Sequence, residues 1–288
     1  MSLTLAKLQQ LKRQAGGDIA AREPAPMSPP SARTSIEQLR QLLRVRAPSP
    51  SLHAVSHDRT LPGIEIARDL VLQETLLRDD PLPEAFCGAF DRKDALDPAR
   101  MLFFDTETTG LAGGTGTRAF MIGAADWHEG ALRIRQLTMR AMSAEAAMLD
   151  AFRSWVRPDM LLVSYNGKCY DAPLLATRYR LARQANPLAG LDHVDLLYPT
   201  RRRYRGVYEN CRLATIERQV LRIVREDDLP GSEAPAAWRT FLRGGSAHTL
   251  RRVLEHNHQD VISLSRLLRH LSVAHATDES HSAHTVAS

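Results

Sequence analysis

The sequence predicts a mixed α/β domain over residues 99–274, and three observations predict it. Three apolar runs follow one another at 101–104, 120–125 and 132–139. Helical and strand patterns then alternate, and a long helix over 249–271 carries a continuous apolar stripe. Strands in succession followed by alternating helix and strand give a mixed sheet with helices on its faces.

Each element has its own signal. Residues 1–60 read as a Pro/Ser-rich arm, largely disordered, with Pro24, Pro26, Pro29, Pro30, Pro48 and Pro50 spread among Ser and Ala. One short amphipathic helix starts inside it at Ser35, a suitable N-cap. An N-terminal extension, 61–98, holds a short strand at Leu70–Leu77. Met101–Phe104 is an apolar run with turn residues behind it, the pattern of a buried strand. The next two runs predict an antiparallel pair with Glu129-Gly130 as the turn. Ala144–Val156 reads as a helix stopped by Pro158, Met160–Ser164 as a strand, Pro173–Arg183 as a helix and His193–Leu197 as a short strand. Helices dominate from there to about residue 273, and 275–288 is a polar tail expected to fray.

Composition narrows the function. Hydrophobic residues make up 43% and charged residues 25%, ordinary values for a soluble globular protein. No apolar run approaches the length of a membrane span, so no membrane partner is expected. Residues 1–13 lack the apolar core of a signal peptide. Cys87, Cys169 and Cys211 are too few and too far apart for a disulfide framework or a zinc spacing. A reducing, cytoplasmic setting fits this usage. A net charge of +5 favours an acidic partner such as nucleic acid. The excess is mild, and only four of the 38 basic residues are lysines, a skew that genomic base composition explains equally well. Protein partners are left open.

The chemistry lies in acids at inward positions. Asp105 and Glu107, two apart at the end of a core strand, share one face. Like charges there repel and lose hydration, which a divalent cation relieves, although a strand ending in water has the same pattern. Asp171 precedes a helix with Pro173 in its first turn. It suits a plain N-cap, or a site at the C-terminal edge of a parallel strand. Asn166, Gly167 and Lys168 before it fit a loop approached by phosphate. Asn257 and Asp260 fall inside the stripe Leu250, Val253, Leu254, Val261, Leu264, Leu267, Leu268 and Leu271. An inward carboxylate needs a salt bridge to Arg or a metal, and His256 stands one turn before Asp260. Four such carboxylates can hold two cations. The loop Gly110–Gly116 lacks the Gly-Lys-Ser/Thr of a P-loop; it is a flexible connection or lines the substrate path. The run Arg201-Arg202-Arg203-Tyr204-Arg205, with Tyr208 nearby, alternates cations and rings, suiting phosphates and bases or a solvated loop.

The stretches Asp105–Gly110, Tyr165–Leu175 and His256–Leu264 resemble the three motifs of the DEDD exonucleases of the ribonuclease-H-like superfamily. Gly110–Thr117, Cys211–Arg218 and Arg225–Gly231 resemble its bacterial YprB-like branch. The resemblance implies a ribonuclease-H-like mixed five-stranded sheet flanked by helices. It also implies two Mg²⁺ or Mn²⁺ held by Asp105, Glu107, Asp171 and Asp260, and 3′→5′ hydrolysis of single-stranded DNA or RNA. His256 is the expected general base. It lies four residues before Asp260, the register of the tyrosine in the Tyr type, while Glu255 holds the register of the histidine in the His type. Substrate contacts are expected from Thr108, Asn166, Lys168, Arg201, Arg202, Arg203 and Asn257. The rival readings are a binding module on the same fold without turnover, and an endonuclease or resolvase.

Overall fold

The computed structural model describes residues 58–78, 82–110, 114–226 and 229–286, with side chains to Ala276. Most of the predicted arm, including the helix at Ser35, lies outside the described residues. Its last residues belong to the domain. The Arg59 guanidinium donates to the carbonyls of Phe241 and Gly245, and the Asp58 carbonyl accepts from Ala247 N.

Among the described residues, seven strands form one sheet: β1 (Ile64–Ala67), β2 (Leu70–Leu77), β3 (Met101–Thr108), β4 (Ala119–His128), β5 (Ala131–Met139), β6 (Leu161–Ser164) and β7 (Asp192–Asp195). Their order is β1-β2-β5-β4-β3-β6-β7. β6 runs parallel to β3 and to β7; every other pairing is antiparallel. The five strands β3–β7 are the expected ribonuclease-H-like set. The sheet is larger than expected because β2 pairs with β5 along its full length, from Leu70↔Met139 to Leu77↔Leu132, and carries β1 at its outer edge. The β4–β5 turn is the predicted one: Glu129 and Gly130 both have positive φ, 49° and 77°, as a tight hairpin requires.

Helices α1 (Glu145–Trp155), α2 (Asp171–Leu181), α3 (Leu197–Tyr204), α4 (Leu213–Ile216), α5 (Ala234–Leu242) and α6 (His248–Val286) complete the fold. α6 continues through the stretch expected to fray, with no break at residue 275. Alternation along β3 divides the interior in two. Leu102 and Phe104 pack with Phe152 of α1 and Tyr179 of α2, while Met101 and Phe103 pack with Val261, Leu264 and Leu267 of α6. α6 serves both cores: Leu250, Val253 and Leu254 join the first, Val261 onward the second. Asn257 and Asp260 lie at the changeover. In the first core Trp238 of α5 stacks on Phe120 at 5.0 Å and donates its indole N–H to the Met139 carbonyl, satisfying the polar end of a buried ring.

Candidate active site

The end of β3, the start of α2 and the middle of α6 border a cleft of about 630 Å³ lined by Asp105, Glu107, Asp171, His256 and Asp260. All four predicted metal-binding acids therefore face one space. Among the described residues, Glu107, His256 and Asp260 present ligand atoms within 4.8 Å of one another. Asp105 and Asp171 line the cleft beside that trio.

Asp105 is held by a row of residues across the sheet. It sits opposite Gly123 on β4, which sits opposite Gln136 on β5. Asn257 lies over Gly123, donating from Nδ2 to Asp105 Oδ2 at 2.9 Å and accepting on Oδ1 from Gln136 Nε2 at 2.9 Å. Gly123 is required there, because a Cβ would lie 2.1 Å from Asn257 Oδ1. Asn257, an expected substrate contact, is 0% exposed and is not among the cleft-lining residues; its amide holds Asp105 instead.

Asp171 is not the plain N-cap that its position allows. It is the first residue of α2, Tyr170 is the N-cap, and no side chain caps that helix. The Asp171 carboxylate accepts a hydrogen bond from Thr106 Oγ1. Thr106 points away from the Asp105–Glu107 face, so the two faces of β3 feed one site around its end. The loop before α2 is shaped by Asp195, 1% exposed at the end of β7. Its carboxylate accepts from the backbone N–H of Asn166 (2.7 Å), Lys168 (3.0 Å) and Leu197 (3.1 Å), with Asn166 left-handed at φ 67°. A Cβ at Gly167 would lie 2.4 Å from Ser164 Oγ, so the turn packs too closely for any side chain.

The electrostatics are those of a cluster of buried, mutually repelling acids. Burial pushes the Asp105 carboxyl well above the ordinary range, and Asp260, Asp171 and Glu107 push it further; the Asn257 hydrogen bond opposes them. Burial likewise raises Asp171 to about 6, against the Thr106 hydrogen bond. Clustered oxygen donors that resist ionising together form a suitable donor set for hard divalent ions. The salt bridge considered for Asp260 is also present: Arg225 pairs with Asp260 and with Glu217.

His256, the expected general base, lines the cleft one turn before Asp260. Arg225 Nη1 lies 3.0 Å from His256 Nδ1, and a guanidinium only donates. Nδ1 is therefore the acceptor, and the neutral ring carries its proton on Nε2, 3.5 Å from Asp260 Oδ2. A protonated Nε2 donates to the cleft and accepts nothing from it.

The expected substrate contacts divide. Thr108 lines the cleft and donates its hydroxyl to the Gly110 carbonyl at 2.9 Å. Asn166, Lys168 and Arg201–Arg203 are not among the cleft-lining residues. The Arg run is helical, forming the last turn of α3, and Arg202 donates to the Phe90 carbonyl at 2.6 Å and pairs with Asp91 at 3.5 Å. The Gly-rich loop does border the cleft, through Gly110, Gly114 and Thr117, and Arg178 of α2 fixes it by donating to the Thr115 carbonyl at 2.8 Å. Asp195, Thr106, Gln136 and Glu217 escape a reading of the sequence. Only Asp195 leaves a signal there, as an acid within a short predicted strand.

Residues 102–272, from β3 to the middle of α6, match a family described as the RNase_H superfamily. The uncharacterized protein YprB of Bacillus subtilis (strain 168) is 37% identical over 193 residues, 65% of this chain and 46% of that protein. The chain thus spans about half the length of this curated relative. Solved structures with 15–16% identity include the family B DNA polymerase of the archaeon Pyrobaculum calidifontis (60% of this chain, 24% of that one, TM-score 0.45). They also include E. coli exonuclease I in complex with a dA16 oligonucleotide (54% and 43%, TM-score 0.36). No helix among the described residues is long and apolar enough to cross a membrane. With the matched segment spanning every element that carries a cleft carboxylate, the chain belongs to the RNase H superfamily.

Proposed function

We propose that the chain is a divalent-metal-dependent nuclease acting as a 3′→5′ exonuclease on single-stranded nucleic acid. The observation that carries this reading is the convergence of Asp105, Glu107, Asp171 and Asp260 on one cleft in a chain of this superfamily. These carboxylates would hold two Mg²⁺ or Mn²⁺. The chemistry such ions supply when bound is activation of a water and stabilisation of the leaving oxygen of a phosphodiester. The protein's own part is placement. Asn257 keeps one Asp105 oxygen occupied and leaves the other to the cleft. Thr106 does the same for Asp171. Tyr170, 58% exposed in the cleft wall, offers a ring against which a base can lie. Arg201 and Arg203 are exposed on α3 outside the cleft, so a phosphate they meet is remote from the scissile one.

Degradation of 3′- and 5′-labelled DNA and RNA, with Mg²⁺, Mn²⁺ or EDTA, tests this reading. Progressive loss from the 3′ end, abolished by EDTA, is expected. Cutting of a circular single strand would make the protein an endonuclease, and binding without turnover would make it a non-hydrolytic module.

The tautomer of His256 gives a second expected result. As a donor toward developing charge, its loss in His256→Ala should cost about 10²-fold in turnover, the scale of one lost transition-state donor. His256→Gln keeps an N–H and should recover most of that. Gln cannot serve as a base, so a Gln variant as slow as Ala would restore the general-base role.

A further inference from the structure

Beside the cleft lies a buried ion pair that the proposed chemistry does not use. Glu217 begins an irregular turn, Glu217–Leu221, that ends with Arg222 in the left-handed region at φ 59°. The Ile223 N–H returns to the Glu217 carbonyl at 2.9 Å, folding the chain back on itself. Arg225 consequently lies over Glu217, whose carboxylate is only 1% exposed and accepts from Arg225 Nη2. The same Nη2 donates to Asp260 Oδ1, and Nη1 donates to His256 Nδ1. Arg225 borders a separate surface hollow with Leu229, Arg252 and Gln259, and His256 forms part of the wall between that hollow and the cleft.

We infer that Arg225, anchored by Glu217, is a positioning residue that sets Asp260 in the orientation the metal site needs and fixes the His256 ring beside it. The inference rests on the metal-site reading given above. Each of the two residues has one polar atom held from behind. Asp260 Oδ2 and His256 Nε2 are 3.5 Å apart, and both residues belong with Glu107 to the group whose ligand atoms lie within 4.8 Å of one another. A planar guanidinium suits this task because its fork reaches three partners in fixed directions; an ammonium is a point charge without that geometry. Glu217 explains how a cation can stand so close to a site for cations. Its charge offsets that of Arg225, so the pair adds direction to Asp260 and little net field.

The test uses the full chain and the double variant Arg225→Met/Glu217→Gln, which removes both charges and leaves neither buried alone. Mn²⁺ binding is measured by titration calorimetry, and thermal unfolding is measured in EDTA. Loss of a partner that orients a metal ligand typically weakens metal affinity about 10–100-fold. That loss is expected here, with the EDTA melting temperature within a few degrees of wild type. Mn²⁺ binding unchanged or tightened in the double variant would overturn the inference. Should the double variant not fold, Arg225→Lys answers the same question: it keeps the charge and loses the fork, and wild-type Mn²⁺ affinity in it would overturn the inference equally. Wild-type protein that binds no Mn²⁺ would instead remove the metal-site reading beneath it, so the two failures are distinguishable.

Discussion

Replacing Asp105 by Asn is expected to abolish hydrolysis and, without divalent cations, to make the protein more stable. Asn has the same shape, and its side-chain oxygen can still accept from Asn257 Nδ2, so the row across the sheet survives. What disappears is one charge from a cluster in which burial and three neighbouring acids already disfavour it. Activity should fall beyond the ~10⁴-fold that a lost general base costs, because a metal ligand has gone. Stability in EDTA at neutral pH should rise, because the folded state no longer holds a carboxyl whose ionised form burial and its acidic neighbours disfavour. The readout is a higher melting temperature, roughly 2–4 °C per kcal/mol gained in a domain of this size.

The pH dependence has a definite sign. Asp105 and Asp171 have folded-state pKa values above the ordinary 3.8, Asp171 at about 6. Between those values the folded protein binds more protons than the unfolded chain, so metal-free stability falls as pH rises through that window. Melting curves in EDTA from pH 4.5 to 7.5 should show that fall in wild type and a shallower one in Asp105→Asn. A flat wild-type profile, or a less stable variant, would mean that the four acids are not mutually repelling. Excess Mn²⁺ should reverse the order, stabilising wild type and leaving Asp105→Asn nearly unmoved.

Which parts of this site can be read from the sequence depends on whether the signal is local. Asp105 and Glu107 are legible because side-chain direction alternates along a strand, and the apolar run before them identifies the strand. Asp260 and Asn257 are legible because they interrupt an otherwise apolar helical stripe. The Glu129-Gly130 turn is legible because the two residues needing positive φ are adjacent. The partners are not legible. Arg225 reaches Asp260 across 35 positions of chain, and the turn that brings it there is an irregular one started by Glu217. Gln136 meets Asn257 only because the register of β5 on β4 puts it beside Gly123. β2 joins the sheet by pairing with β5, more than fifty residues later, and its own sequence shows only that it is a strand. The motif residues were thus separable from the background, while the groups that orient them depend on packing between distant segments.

That dependence gives the second large expected effect, at Gly123. Alanine there would place a methyl group 2.1 Å from Asn257 Oδ1. Asn257 has no room to yield, being 0% exposed with Gln136 on one side and Asp105 on the other. Gly123→Ala should therefore combine overpacking, about 1–3 kcal/mol, with disrupted buried hydrogen bonds of similar size. Asn257→Ala alone should be milder, about 1–2 kcal/mol, because Gln136 Nε2 keeps its 2.8 Å bond to the Leu254 carbonyl. Both variants should lose activity, since each frees Asp105 from the donor that aims it. The double variant Gly123→Ala/Asn257→Ala discriminates. Shortening residue 257 opens the space that the new methyl group needs, so the clash is removed and the double variant should be more stable than Gly123→Ala alone. A favourable coupling of about 0.5–3 kcal/mol is the expected size for residues in direct contact. Denaturant unfolding of the four proteins measures it. Simple additivity would show that Asn257 does not rest on Gly123, and the orienting row beneath Asp105 would have to be abandoned.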